Sequence, residues 1–121
     1  SDMRELEDAM TCGNKRAELA HKMFIYRIKK TIGSYAAVLN GLDVLVFTAG
    51  IGENNDYVRE MICQDMDFLG IKLDAKKNHG INHLFEIGDE KAHVKIVVVP
   101  TDEEMAIAKE TESLVLASKV K

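Results

Sequence analysis

Tryptophan is absent, proline occurs once and cysteine only twice in the 121 residues. Each scarcity removes a class of explanation. Two thiols, Cys12 and Cys63, cannot build the disulfide framework of a small secreted domain, and both read as free cysteines. Lysine and arginine (16) are outnumbered by aspartate and glutamate (20), a net charge of -4. That balance argues against a nucleic-acid surface, which carries a basic footprint. No apolar run approaches the roughly 20 residues that a membrane span needs. Ser1 to Glu5 has neither the basic nor the apolar region of a signal peptide, so the expected setting is the cytoplasm. A single proline, Pro100, leaves the helices and strands almost uninterrupted.

What is there is enough apolar residue, 46% of the chain, for one core, in a length too short for two ordinary domains. Asp2 to about Met10 reads as a short helix stopped near Gly13. Asn14 to Leu39 reads as a long one, with Ala17, Ala20, Phe24, Ile28, Ile32, Ala36 and Leu39 as its apolar stripe. Asn40-Gly41 is a helix stop. Val44 to Phe47 is an apolar, β-branched run without polar alternation, the pattern of a strand buried on both faces. A helix from Asp56 to Phe68 follows, with Val58, Ile62 and Met66 on its inner face and Gly70 behind it. Lys76 to Gly80 reads as loop and Ile81 to Ile87 as a short edge strand. Val94 to Val99 is a second strong strand, and a last helix is expected from Asp102 to Ala117. Helix, strand, helix, strand, helix is the order of an α/β parallel sheet. Only two strong strands are visible, where sheets average about five or six, so the chain reads as part of a larger fold.

The stretch that organises the chain is Asp43 to Asn54. An apolar strand breaks into Gly50 and Gly52 and then into Asn54, Asn55 and Asp56, all good helix caps. A glycine turn between a strand and a helix N-terminus can cradle an anion, phosphate above all. It is not a Walker loop, which needs Gly-Lys followed by Ser or Thr, nor a dinucleotide fingerprint, which needs a third small residue. A lone Gly-x-Gly serves equally as a tight turn, and both readings stay open on the pattern alone. Thr101-Asp102-Glu103-Glu104 has the form of a capping box, which leaves Glu103 free to face elsewhere. Both segments follow strand C-termini, the edge where ligands of open parallel sheets collect. His79 and His83 share a turn-like context that suits surface loop better than metal ligation. His21 lies off the apolar stripe, and the six methionines read as core filler.

Taken together, Asp2-Met3-Arg4-Glu5, the run from Asp43 to Asn54 with Val58-Arg59 behind it, and Val98-Val99-Pro100-Thr101-Asp102-Glu103 resemble the acetate kinase family. They occur in that family's order along essentially the whole chain. The resemblance implies the C-terminal part of such an enzyme. The fold would then be a partial ribonuclease H-like domain of the actin, sugar kinase and heat-shock chaperone superfamily. It implies reversible phosphoryl transfer from ATP to acetate, giving acetyl phosphate and ADP. By that resemblance Asp2, Met3 and Arg4 would line the adenosine pocket. Gly50, Ile51, Gly52, Glu53 and Asn54 would form the second nucleotide segment, and Glu103 would hold Mg²⁺. Taken alone, Asp2 and Arg4 are only exposed terminal charges. The catalytic His and Arg groups and the acetate pocket are expected upstream of this chain, which by itself should be inactive. A homodimer is implied as well. The alternatives are a butyrate or propionate kinase fragment and, from another class, a non-catalytic nucleotide-binding module.

Overall fold

A computed structural model describes residues 3–79 and 86–100. Helix α1 runs over Met3–Thr11 and α2 over Lys15–Leu39. Asn14 caps α2, its side-chain oxygen accepting from the N–H groups of Arg16 and Ala17 at 3.0 and 3.1 Å. This satisfies two of the donors that a helix start leaves without partners. At the other end Asn40 turns left-handed at φ 59°, and the Gly41 N–H returns to the Ala36 carbonyl at 2.8 Å. The predicted stop at Asn40-Gly41 is therefore the real one.

The seam of α2 differs in part from the expected stripe. Ala17, Ile32 and Ala36 are buried, but His21 and Ile25 are buried with them, while Ala20 and Leu39 are exposed. The spacing of 17, 21, 25, 28, 32 and 36 is as helical as the predicted one. It runs through a histidine, which a hydrophobicity pattern passes over.

Strands β1 (Val44–Thr48) and β2 (Lys95–Val99) pair in parallel, Val44 opposite Lys95 and Thr48 opposite Val99. The far side of β2 carries an antiparallel bridge from Glu86, and the Ile87 N–H donates to the Ile96 carbonyl at 2.8 Å. The end of the expected edge strand thus lies beside β2; its residues 81–85 are outside the described region. Between the strands come α3 (Ala49–Asn54), α4 (Asp56–Cys63), a 3₁₀ turn at Asp67–Leu69 and α5 (Ala75–His79). The predicted helix to Phe68 stops at Cys63, and Gly70 at φ 83° closes the 3₁₀ turn behind it. The predicted loop at Lys76 to Gly80 is helical as far as His79. Asp74 starts α5, its carboxylate accepting from the Lys77 N–H at 3.0 Å.

One face of the sheet carries the core. Phe47, Ile96 and Val98 join Ile25, Ile32, Val58 and Ile62 in one cluster. Ile71, Ile87 and Ile96 are fully buried, each worth about 1.5–3 kcal/mol of apolar transfer. Burial pushes the Cys63 thiol up to about 12, so it packs there as an apolar group. Val44 and Val46, on the other face of β1, are 47% and 50% exposed. Among the described residues only the face of Phe47 is covered by helices.

Candidate functional site

The strand-to-helix passage after β1 is made in an unexpected way. Thr48 is extended, and its hydroxyl donates to the Val99 carbonyl at 2.7 Å, so it caps nothing. Ala49 then takes φ 65°, the left-handed region. This costs a non-glycine residue roughly 1 kcal/mol and persists only where its surroundings impose it. Gly50 and Gly52 are not at positive φ; they lie in the six-residue helix α3 rather than in an open loop. Their roles separate on space. A Cβ at Gly52 would lie 3.4 Å from the Phe47 carbonyl carbon, in contact with the backbone of β1, so this position faces the strand. A Cβ at Gly50 would meet nothing within 4 Å.

Asn55 begins α4, its side-chain oxygen accepting from the Val58 N–H at 2.9 Å. The same side chain donates its amide to Glu7 of α1 at 2.7 Å. The Glu7 oxygen is also 3.8 Å from His21 Nε2 on α2. His21 is 2% exposed, and its Nε2 has no hydrogen-bond partner. Its ring stacks on Tyr57 of α4, with centroids 5.6 Å apart. One asparagine and one aromatic pair thereby lock α1, α2 and α4 around a common corner.

A cleft of about 540 Å³ opens there, lined by Met3, Arg4, Glu7, Gly50, Ile51, Asn54, Asn55, Asp56 and Tyr57. Its size is that of a small-molecule site. Five of the residues predicted from sequence, Met3, Arg4, Gly50, Ile51 and Asn54, come from segments more than forty positions apart and meet on this one surface. Gly52 and Glu53 are half-buried and do not line it. Asp2, Glu103 and the capping box from Thr101 lie outside the described residues.

Behind the cleft is a polar contact that the sequence pattern does not announce. Arg59, 2% exposed, donates through Nη1 to the Gly52 carbonyl and through Nε to Asn78 Oδ1, both at 2.8 Å. Nη2 reaches the Asn78 carbonyl at 3.1 Å. Asn78 in turn donates to the Asp56 carbonyl at 2.9 Å. Burial lowers the Arg59 pKa, opposed by the charge of Asp56, yet the fork keeps three acceptors satisfied. The available signal was a cation near the start of a helix, where the dipole disfavours it.

On the rim, His79 Nδ1 bonds to Asp56 Oδ2, and this bond holds the Asp56 carboxyl below its ordinary value of 3.8. A lowered folded-state pKa means stability that is complete above 3.8 and is lost as pH falls through the lowered value. The pair is exposed, so the contribution should be a few tenths of a kcal/mol. Urea midpoints of the wild type should exceed those of Asp56→Asn at pH 6 and converge with them below pH 3. A gap that persists unchanged into acid would show that the carboxylate charge is not its source.

The acetokinase family profile matches residues 1–109. The acetate kinase of Moorella thermoacetica is 54% identical over 97% of the chain. A crystal structure of Porphyromonas gingivalis acetate kinase superposes with a TM-score of 0.81 at 50% identity over 94% of the chain. A propionate kinase from Francisella tularensis superposes at 0.75 with 39% identity over 90% of the chain. The chain spans 30% of the Moorella relative, and 29% and 28% of the two crystallised chains. The two parallel strands and their helices are therefore part of an actin-like, ribonuclease H-type α/β fold.

Proposed function

The chain belongs to the acetokinase family, and on that premise we propose that it is the nucleotide-handling part of an acetate kinase. The whole enzyme would move the γ-phosphoryl of ATP to acetate, reversibly, releasing ADP and acetyl phosphate. One observation carries the reading beyond family membership. Met3 and Arg4, at the start of the chain, share a cleft with Gly50, Ile51 and Asn54, which follow β1. Phosphoryl transfer depends on alignment and charge stabilisation more than on covalent participation, so a surface that fixes the nucleotide is a substantial part of the machinery.

In this reading Asp2, Met3 and Arg4 lie along adenosine, and the backbone of Gly50 to Asn54 lies along the phosphates. The open space over Gly50 is what supports close approach there. Glu53 belongs to the same segment without lining the cleft. The cleft's own carboxylates, Glu7 and Asp56, are engaged by Asn55 and His79, and by family resemblance Mg²⁺ is assigned to Glu103. A nucleotide-bound Mg²⁺ takes one or two protein carboxylates with phosphate and water, and it neutralises phosphate charge. The acetate pocket and the groups that stabilise the transferred phosphoryl would lie elsewhere in the whole protein, which we read as a cytoplasmic homodimer with this chain in its C-terminal part. Among the described residues no helix is long and apolar enough to cross a membrane.

The Francisella relative keeps a propionate kinase as the second reading. Initial rates of the full-length protein with ATP and acetate, propionate or butyrate separate the two. Acetate should give the highest kcat/KM, and the 121-residue chain alone should give no turnover above background. Bound ATP without phosphorylation of any of the three acids would instead make the chain part of a non-catalytic nucleotide-binding protein.

A further inference from the structure

The wall of the cleft carries an imbalance of charge that one proton can remove. Among the residues lining it, Arg4 is the single cation, and Glu7 and Asp56 are carboxylates. Glu7 accepts from Asn55 at 2.7 Å, a neutral amide that does not offset its charge. Asp56 has a different partner: its Oδ2 is bonded to Nδ1 of His79, at the end of α5. An ionised carboxylate only accepts, so Nδ1 carries the hydrogen of this bond. Whether Nε2 also carries one decides the charge of the pair. With a neutral ring the pair is an anion on the cleft wall; with an imidazolium it is neutral.

The His79 side chain is 56% exposed, so water can supply and remove that proton. Its position is nevertheless fixed. Asn78, the residue before it, is 1% exposed, is held by Arg59 and donates to the Asp56 carbonyl at 2.9 Å. One turn of α5 thus grips both the backbone and the side chain of Asp56. The other charged groups around the pair have partners of their own. Arg59 of α4 is bonded to Gly52 and Asn78, and Lys77 of α5 lies 3.8 Å from Glu90. His21, beneath the cleft, faces Glu7 rather than Asp56. The Asp56 carboxyl is held below 3.8, by His79 first of all, and stays ionised near neutrality. Histidine is the side-chain type at this wall whose ordinary titration falls between about pH 5 and 8.

We propose that the His79–Asp56 pair is a proton-operated charge switch on the cleft, which binds an anionic nucleotide more tightly when His79 is protonated. The proposal rests on the nucleotide reading of the cleft and adds to it a regulation by pH. Bound nucleotide favours the imidazolium, and by reciprocity the imidazolium favours the nucleotide. One unit charge several ångströms from the ligand in water changes affinity about two- to threefold. Calorimetric titration of the full-length protein with MgATP, at about pH 5.5 and about pH 8, tests it. ATP has a proton equilibrium of its own in this range, and His21 is common to all the proteins compared, so affinities are read as ratios to the wild type at the same pH. His79→Asn, neutral throughout, should bind about two- to threefold more weakly than the wild type at the lower pH and equally at the higher. His79→Lys, cationic throughout, should bind equally at the lower pH and about two- to threefold more tightly at the higher. Ratios that do not change with pH overturn the switch, as does equal weakening of both variants, the mark of a merely structural residue. A wild type that binds no MgATP at either pH overturns the nucleotide reading and the switch with it. A wild type that binds MgATP while the ratios stay constant overturns the switch alone.

Discussion

Arg59→Met should destabilise the fold by about 3–5 kcal/mol, the largest loss expected of any single polar substitution in the described region. The guanidinium is buried and serves the Gly52 carbonyl, Asn78 Oδ1 and the Asn78 carbonyl. Methionine fills much of the volume but donates nothing, and each buried acceptor left without a partner costs about 1–3 kcal/mol. Removal of the arginine's own desolvation cost returns some of this, which is why the sum is not larger. Arg59→Lys should recover little, because an ammonium cannot reproduce the planar fork. Urea titration should show a lower midpoint with an unchanged slope. Asn78→Leu should cost less, and the double variant less than the two single losses added, since both remove the same bonds. Strict additivity would mean that the two residues are not coupled.

The same contact explains why part of this structure cannot be read from the sequence. Residues 75–79, Ala-Lys-Lys-Asn-His, have no apolar period, so they read as loop. They form α5 because Asp74 starts the turn and Asn78 is pinned by Arg59, nineteen positions earlier. Such a bond is tertiary and leaves no local signature. His21 is the mirror case: a polar residue inside the α2 seam, buried by the Tyr57 ring. Where local chemistry is decisive, sequence and structure agree. Asn14, Asn40 and Asn55 each cap a helix where their short side chains predict one, and the β-branched runs at Val44 and Lys95 are the two strands. In the candidate site, the meeting of Met3 and Arg4 with Gly50 and Asn54 is legible through family resemblance and not through spacing. The lining by Glu7 and Tyr57 is legible through neither, because it follows from how α1 and α4 dock.

The two glycines of α3, indistinguishable in the pattern Gly-Ile-Gly, should respond to substitution in opposite ways. Gly50→Leu should weaken ATP binding by the full-length protein about 100-fold while leaving stability equal or slightly raised. Nothing in the protein lies within 4 Å of a Cβ at this position, and its φ is not positive. Gly50 is the second residue of α3, where replacing glycine by a good helix former gains at most about 0.5 kcal/mol. The added side chain would stand in the space that the nucleotide reading gives to the phosphates. Two backbone bonds to a charged phosphate, at about 1.5 kcal/mol each, correspond to the predicted loss. Gly52→Ala should do the reverse. Its methyl would sit 3.4 Å from the Phe47 carbonyl carbon, the near limit of ordinary contact against backbone that cannot swing away. A small loss in stability, no more than about 1 kcal/mol, is expected, with ATP affinity changed less than threefold. Thermal unfolding and calorimetric titration of both variants measure the two axes together. Unchanged ATP affinity in Gly50→Leu would remove the phosphates from the face of α3, and with them the close backbone approach on which the cleft's reading depends.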